Sequence, residues 1–228
     1  MGGMPHLCAV AWDIDGTLVD SEPLHHRALV AASLEFGVDL RDLPDMAFRG
    51  VHMGDVWKRL AHCLPPLLEE EVWISAINRH YVRARHTLVA IPGAVETVRA
   101  LHELGIRQVC VSNSCRAVVD ANLDALGIGR WIQFSISLDD VTEGKPSPVP
   151  YCMAAQRLGR APAQIIAVED SSTGICSAKA AGLHAVFLRT GDNGGQAQQE
   201  ASLPDVTIDN LLLVRGLFET KGALCPQA

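Results

Sequence analysis

Residues 7–18 read LCAVAWDIDGTL, and this stretch decides the fold. Its first six residues form a short, mostly apolar run, which predicts a strand buried on both faces. Asp13 and Asp15 follow at once, and Gly16 allows a sharp exit from the strand. Ligands of open α/β sheets bind beyond the carboxyl ends of the strands, so the two aspartates are candidates for chemistry. A solvated acidic turn or a helix N-cap would give the same local pattern.

A helical block interrupts the chain after this strand. From about residue 23 to residue 86, apolar residues recur at three- and four-residue steps, as on one face of a helix. The stripes are Leu24, Ala28, Ala31, Ala32 and Leu34; Val56, Leu60, Cys63 and Leu64; and Val72, Ile74, Ile77, Tyr81 and Val82. We therefore predict a core at residues 1–20, a helical insertion at 21–88, and the rest of the core at 89–228. Hinges are expected near residues 17–22 and 91–93.

Strands and helices alternate in the remainder of the chain. Strands are predicted at 106–111, 132–136, 164–168 and 184–188, and helices near 94–104, 115–126, 147–158 and 172–181. Residues 190–204 are predicted as loop, and 205–219 as a last strand and helix. Such alternation implies right-handed crossovers, so we predict an α/β fold with a doubly wound parallel sheet.

Polar side chains recur where these later strands end. Ser112 and Asn113 follow one strand, Lys145 lies in a proline-stiffened loop, and Glu169 and Asp170 follow another strand. Each has a plainer explanation alone, either helix capping or a surface lysine. Parallel strands bring all of these groups to one edge of the sheet. Paired carboxylates suit a hard cation such as Mg²⁺, so the set predicts a phosphate site with a metal.

Composition excludes several classes of function. The 228 residues carry a formal charge of −7 and no dense basic tract, so neither nucleic acid nor an anionic membrane is an expected partner. The seven cysteines are odd in number and include no C-x-x-C pair, which argues against a disulfide framework or a zinc site. No apolar run approaches the length of a membrane span. We expect a cytoplasmic protein.

Four motifs together resemble those of the haloacid dehalogenase superfamily of phosphotransferases. They are DIDGT at residues 13–17, the serine at 112 after an apolar strand, GKP at 144–146, and VEDS at 168–171. The resemblance covers roughly residues 7–190 and implies a Rossmann-like core with an all-helical cap. The insertion is similar to the cap of the subgroup that includes β-phosphoglucomutase and phosphoglycolate phosphatase. Trp12 departs mildly from the pattern, which has phenylalanine there.

The resemblance implies roles for the acidic residues. Asp13 would be the nucleophile that forms an aspartyl-phosphate, and Asp15 would be the general acid and base. We expect nearby carboxylates and the exclusion of water to raise the pKa of Asp15, because an acid must hold a proton at neutral pH. Mg²⁺ would be held by Asp13, the backbone carbonyl of Asp15, Asp170, and Glu169 directly or through water.

Other residues would bind the substrate. Lys145 and Ser112 would hold phosphoryl oxygens, with help from the backbone N–H of Asn113. Candidates in the insertion for contact with the rest of the substrate are Glu22, His25, Arg49, His52 and Met53. For each of these five, packing between helices or a surface role is an open alternative.

The preferred function is hydrolysis of a small phosphomonoester, such as a sugar phosphate, by a monomer or weak dimer. A β-phosphoglucomutase-type mutase is the first alternative, but Met53 stands where the resemblance places a phosphate-binding arginine. A non-catalytic phosphate-binding protein is the second alternative. It would be expected to lose Asp13 or Asp15, and both are present.

Overall fold

A six-stranded parallel sheet forms the centre of the computed structural model, which describes residues 7–44, 47–48, 51, 53–191 and 203–219. Its strands are β1 (Ala9–Trp12), β4 (Arg107–Val111), β5 (Phe134–Ile136), β6 (Ile165–Glu169), β7 (His184–Leu188) and β8 (Val206–Ile208). The order across the sheet is β5-β4-β1-β6-β7-β8. Every adjacent pair is parallel, so the predicted parallel α/β fold is confirmed.

Helices cover both faces of the sheet. They are α4 (Ala94–Glu103), α5 (Arg116–Leu126), α6 (Val149–Leu158) and α7 (Ser172–Ala180), and the short α8 (Gly216–Glu219) lies near the end of the chain. Side chains of β1 alternate between the faces: Val10 and Trp12 belong to one apolar cluster, and Ala9 and Ala11 to the other. All four are fully buried, as predicted for a central strand.

Three helices fill the stretch between the first two strands of the sheet. They are α1 (Glu22–Glu35), α2 (Met53–Leu60) and α3 (Glu70–Arg83). They share an apolar cluster, which Val118 and Ala121 of α5 extend onto the sheet domain. A two-stranded antiparallel ribbon, β2 (Val19–Asp20) with β3 (Val89–Ala90), carries the chain into and out of this block. Both crossings therefore run side by side.

The predicted helical stripes are partly wrong in register. Leu34 and Val72 are about half exposed, whereas Trp73 is fully buried and donates a 3.1 Å hydrogen bond from Nε1 to Ser33 Oγ. Cys63 lies beyond the end of α2 and is exposed. Neighbouring apolar residues compete for the buried face, and the larger ring of Trp73 occupies it.

The last predicted elements are shorter than expected. β8 is followed by a 3₁₀ turn at Leu211–Val214 and by the four residues of α8. The loop predicted at residues 190–204 lies mostly outside the described residues.

Candidate active site

Three carboxylates converge at the carboxyl edge of the sheet. Asp13 follows β1, Glu169 ends β6, and Asp170 is the next residue. Each offers an oxygen that lies within 4.8 Å of oxygens from the other two. β1 and β6 are hydrogen-bonded neighbours, which brings together residues far apart in the chain. Asp15 does not join this group through its side chain.

Lys145 lies between two of these carboxylates. Its Nζ donates to Asp13 Oδ1 at 2.7 Å, to Glu169 Oε1 at 2.6 Å and to the carbonyl of Val111 at 2.8 Å. Burial opposes the charged ammonium, but the charges of Asp13 and Glu169 outweigh it and raise the pKa of Lys145. Tyr151 also donates to Glu169 Oε1, at 2.6 Å. The lysine therefore stays charged and its three donors are all used.

The carboxylates retain an excess of negative charge. Burial raises the pKa of Asp13, and the charges of Glu169 and Asp170 add to the rise, whereas the charge of Lys145 opposes it. Burial and the charge of Glu169 raise the pKa of Asp170 to about 7. Oδ2 of Asp13 is buried and has no hydrogen-bond partner among the described residues. These carboxylates carry more negative charge than Lys145 neutralises, and Oδ2 of Asp13 still needs a partner. Such a cluster of oxygen ligands fits a hard divalent cation.

Two glycines make room for these carboxylates. Gly16 has φ +83°, and a Cβ there would overlap the carboxylate of Asp170. A Cβ at Gly174 would overlap the carboxylate of Glu169. The backbone after β1 and the first turn of α7 therefore approach the acidic side chains closely, which only glycine permits.

Asp15 is held by a different set of donors. Its Oδ2 accepts from Ser112 Oγ at 3.1 Å and from Ser114 Oγ at 2.9 Å, and its Oδ1 accepts from Asn122 Nδ2 at 3.0 Å. His25 Nε2 lies 3.7 Å from Oδ1.

The pKa expected for Asp15 is wrong for this arrangement. Burial raises the pKa of Asp15, but the charge of the nearby His25 side chain and the hydrogen bond from Ser114 reverse the shift, and the net pKa is lowered. These donors favour the carboxylate form. The expectation counted neighbouring carboxylates and the exclusion of water, and it omitted these donors.

Asn113 fixes the loop that carries Lys145. Its Oδ1 accepts from the Lys145 backbone N–H at 2.7 Å, and its Nδ2 donates to the Lys145 carbonyl at 2.9 Å. The side chain is therefore committed to the backbone of that loop. Only the backbone N–H of Asn113 is left for the predicted contact with phosphate.

A cavity of about 1220 Å³ lies over this edge of the sheet. Asp13, Asp170 and Lys145 line one side of it, and helices α1 to α3 supply residues on the other side. Of the residues predicted to contact substrate, Glu22, His25 and Met53 line the cavity, whereas Arg49 and His52 lie outside the described residues.

Sequence reasoning did not predict three side-chain hydrogen bonds within the site. Ser114 and Asn122 donate to Asp15, and Tyr151 donates to Glu169. Asn122 and Tyr151 carried a readable signal, because each is a polar residue among the buried positions of its helix. Buried polar groups are normally hydrogen-bonded, so such positions point to a partner.

Comparison with known proteins identifies the family. Residues 8–182 match the haloacid dehalogenase-like hydrolases, and the chain belongs to that family. The phosphoglycolate phosphatase of Escherichia coli K12 is 34% identical in sequence, in an alignment that covers 91% of this chain and 92% of that protein. The Pseudomonas fluorescens phosphoglycolate phosphatase is 31% identical over 226 residues, 96% of this chain and 82% of that protein.

A solved structure shows the same architecture. It is a haloacid dehalogenase family hydrolase from Deinococcus radiodurans R1 with bound phosphate and sodium, and it is 28% identical. The match has a TM-score of 0.73 and covers 97% of this chain and 99% of that one.

No helix among the described residues combines the length and apolar character needed to cross a bilayer.

Proposed function

We propose that this protein is a Mg²⁺-dependent phosphatase that hydrolyses a small phosphorylated metabolite through an aspartyl-phosphate on Asp13. The observation that carries the proposal is the position of Asp13. One of its oxygens is paired with Lys145, and the other is buried beside two more carboxylates and has no hydrogen-bond partner in the described part of the chain. Membership in the hydrolase family and the phosphatases among its relatives support the same reaction.

The metal would be held by the acidic cluster. Its ligands would be Asp13, Asp170, the backbone carbonyl of Asp15, and Glu169 directly or through water. The chemistry supplied by bound Mg²⁺ is neutralisation of charge on the carboxylates and the phosphoryl group. Glu169 already accepts hydrogen bonds from Lys145 and Tyr151, which supports contact through water.

The protein's own residues would carry the two steps. In the first, an Asp13 oxygen forms a bond to phosphorus while the ester bond to the leaving oxygen breaks, and Asp15 protonates that oxygen. In the second, water attacks the phosphorus of phospho-Asp13 and Asp15 takes a proton from the water, while the bond from phosphorus to the Asp13 oxygen breaks and inorganic phosphate leaves. Lys145 and Ser112 would hold phosphoryl oxygens, each in exchange for a hydrogen bond that it donates within the protein. The lowered pKa of Asp15 suits the second step, in which Asp15 acts as a base.

Residues 21–88 would act as a cap that closes over the phosphoryl group and excludes water. The ribbon of β2 and β3 supports this role, because the chain enters and leaves the helical block through it at one place, near the predicted hinges. Sugar phosphates are the proposed substrate class, with phosphoglycolate as the substrate named for the relatives. The proposal includes a monomeric or weakly dimeric protein in the cytoplasm, with neither nucleic acid nor membrane as partner.

The decisive experiment is a substrate panel. The purified protein is incubated with MgCl₂ and with phosphoglycolate, hexose and pentose phosphates, and free phosphate and isomerised products are measured. We expect phosphate release that stops with EDTA and is lost in Asp13→Asn. Asp15→Asn should still bind Mg²⁺ but lose turnover. Isomerisation without phosphate release would favour the mutase, and turnover at the wild-type rate by Asp13→Asn would overturn the proposal.

A further inference from the structure

Asn122 is a fully buried amide that bridges two functional parts of the molecule. Its Oδ1 accepts a 2.7 Å hydrogen bond from the hydroxyl of Tyr81, and its Nδ2 donates a 3.0 Å hydrogen bond to Asp15 Oδ1. Tyr81 is also fully buried and belongs to α3 of the helical block, whereas Asn122 belongs to α5 of the sheet domain. No step of the proposed reaction uses either residue.

We propose that Asn122, oriented by Tyr81, is the positioning residue that holds the Asp15 carboxyl group where it exchanges protons with the substrate. This inference rests on the proposed function, in which Asp15 is the general acid and base. Neither Asn122 nor Tyr81 lines the cavity over the site, so both would act through Asp15.

The direction of the two hydrogen bonds is fixed by chemistry. Asn122 turns its NH₂ group toward Asp15, and because an NH₂ group can only donate, the oxygen of Asp15 accepts this hydrogen bond. Its carbonyl oxygen then faces Tyr81 and needs a donor. Burial raises the pKa of Tyr81, so the phenol stays protonated and supplies that donor. The opposite orientation of the amide would set its oxygen against the carboxylate.

Asn122 is the most rigid of the donors to Asp15. The hydroxyls of Ser112 and Ser114 can turn about a single bond to other acceptors, and Ser112 is also proposed to bind phosphate. His25 is 3.7 Å away and lines the cavity. The Asn122 amide is planar, buried and held at both ends, so it fixes the place of Oδ1. Because Tyr81 lies in α3, the same contact ties the helical block to Asp15.

The test compares two phosphate esters in four variants. Asn122→Ala, Tyr81→Phe, the double variant and Ser33→Ala are assayed with Mg²⁺ on an alkyl phosphate and on 4-nitrophenyl phosphate. Ser33→Ala is the matched control, because it removes the buried Trp73–Ser33 hydrogen bond of the helical block without touching Asp15. Thermal unfolding of every variant is recorded alongside.

We expect Asn122→Ala to lower kcat/KM for the alkyl ester on the order of 10- to 100-fold, as misplacement of a catalytic group does. The fall for 4-nitrophenyl phosphate should be several times smaller, since a good leaving group needs little protonation. Tyr81→Phe should act in the same direction and less strongly. The double variant should be no worse than Asn122→Ala, because Tyr81 acts through Asn122. Ser33→Ala should leave both esters unaffected.

Three results would overturn the inference. They are equal losses for the two esters, losses that Ser33→Ala reproduces, and additive effects of the two substitutions. If Asn122→Ala does not fold, Tyr81→Phe decides alone, since it keeps the ring and removes only the hydroxyl. A wild-type protein that releases phosphate neither from these two esters nor from any member of the substrate panel would refute the proposed function itself, and this inference with it.

Discussion

Lys145 and Asp13, 132 positions apart in the chain, form a buried ion pair with 2.7 Å between Nζ and Oδ1. The same ammonium group lies 2.6 Å from Glu169. One cation therefore separates two buried carboxylates that would otherwise repel each other across the floor of the site. The lysine is thus part of the folded core as well as a candidate for binding phosphate.

Replacing Lys145 should damage both stability and activity. Lys145→Met leaves two buried carboxylates without their cation, and removing one partner of such a group costs about 3–5 kcal/mol. Phosphate release should fall at least 100-fold, as on loss of a transition-state donor. Lys179→Met is the control, because its 2.6 Å pair with Asp205 is only partly buried and should contribute under about 1 kcal/mol. Urea unfolding measures the stability of the two variants, and equal stabilities would contradict the prediction.

The metal-free protein should become less stable as the pH rises from about 4 to about 7. The pKa of folded Asp170 is raised from 3.8 to about 7, so the folded state keeps a proton that the unfolded chain has released. The free energy of unfolding falls with pH wherever the folded state binds more protons. Chemical denaturation in EDTA across this range measures the slope.

Bound Mg²⁺ should reverse that trend, because it competes with the proton for the same carboxylate. The rise in melting temperature on adding MgCl₂ should therefore be larger at pH 8 than at pH 5.5. Asp170→Asn should reduce both the pH slope and the effect of Mg²⁺, whereas Asp205→Asn, outside the site, should retain them. An Mg²⁺ effect that is independent of pH, or that survives in Asp170→Asn, would count against this account of the cluster.

The sheet and its catalytic edge were predictable from the sequence because both depend on short-range patterns. Apolar runs such as residues 164–168 define buried strands, and polar residues directly after them must reach the same edge once the strands are parallel. Which side of α3 is buried was not predictable in this way. Val72 and Trp73 are adjacent and both apolar, and only packing against Ser33 and its neighbours selects Trp73.

The ionisation of Asp15 depends on contacts that sequence does not display. Asn122 is 107 positions away, and His25 reaches Asp15 from α1. Whether the pKa of a buried carboxyl group is raised or lowered depends on how many hydrogen-bond donors reach the group. Those donors come from separate helices, so their convergence is a property of the tertiary structure.

Gly16→Ala should disturb the acidic cluster that would hold the metal, in addition to its effect on the backbone. Gly16 and Gly37 have similar positive φ angles, +83° and +78°, so alanine at either position should cost about 1–2 kcal/mol. No described residue comes within 4 Å of a Cβ placed at Gly37, whereas a Cβ at Gly16 would overlap the Asp170 carboxylate. We therefore expect Gly16→Ala alone to lose phosphatase activity and the stabilisation by Mg²⁺. Equal behaviour of the two variants in activity assays and Mg²⁺ titrations would refute this.

Trp12, where the family pattern has phenylalanine, should depend on Gln108. Its indole Nε1 donates to Gln108 Oε1 at 3.0 Å, and Gln108 Nε2 donates to the Val98 carbonyl at 2.8 Å, all within the core. Gln108→Leu leaves the buried indole N–H without a partner, at a cost of about 1–3 kcal/mol.

In a Trp12→Phe background there is no indole N–H, so Gln108→Leu should cost less by about 1 kcal/mol or more. The lost bond to the Val98 carbonyl is common to both backgrounds and cancels in the comparison. Urea unfolding of the wild type, the two single variants and the double variant completes the cycle. Additive free energies would mean that the tryptophan is tolerated at this position without help from Gln108, and its presence beside the nucleophile would then need another cause.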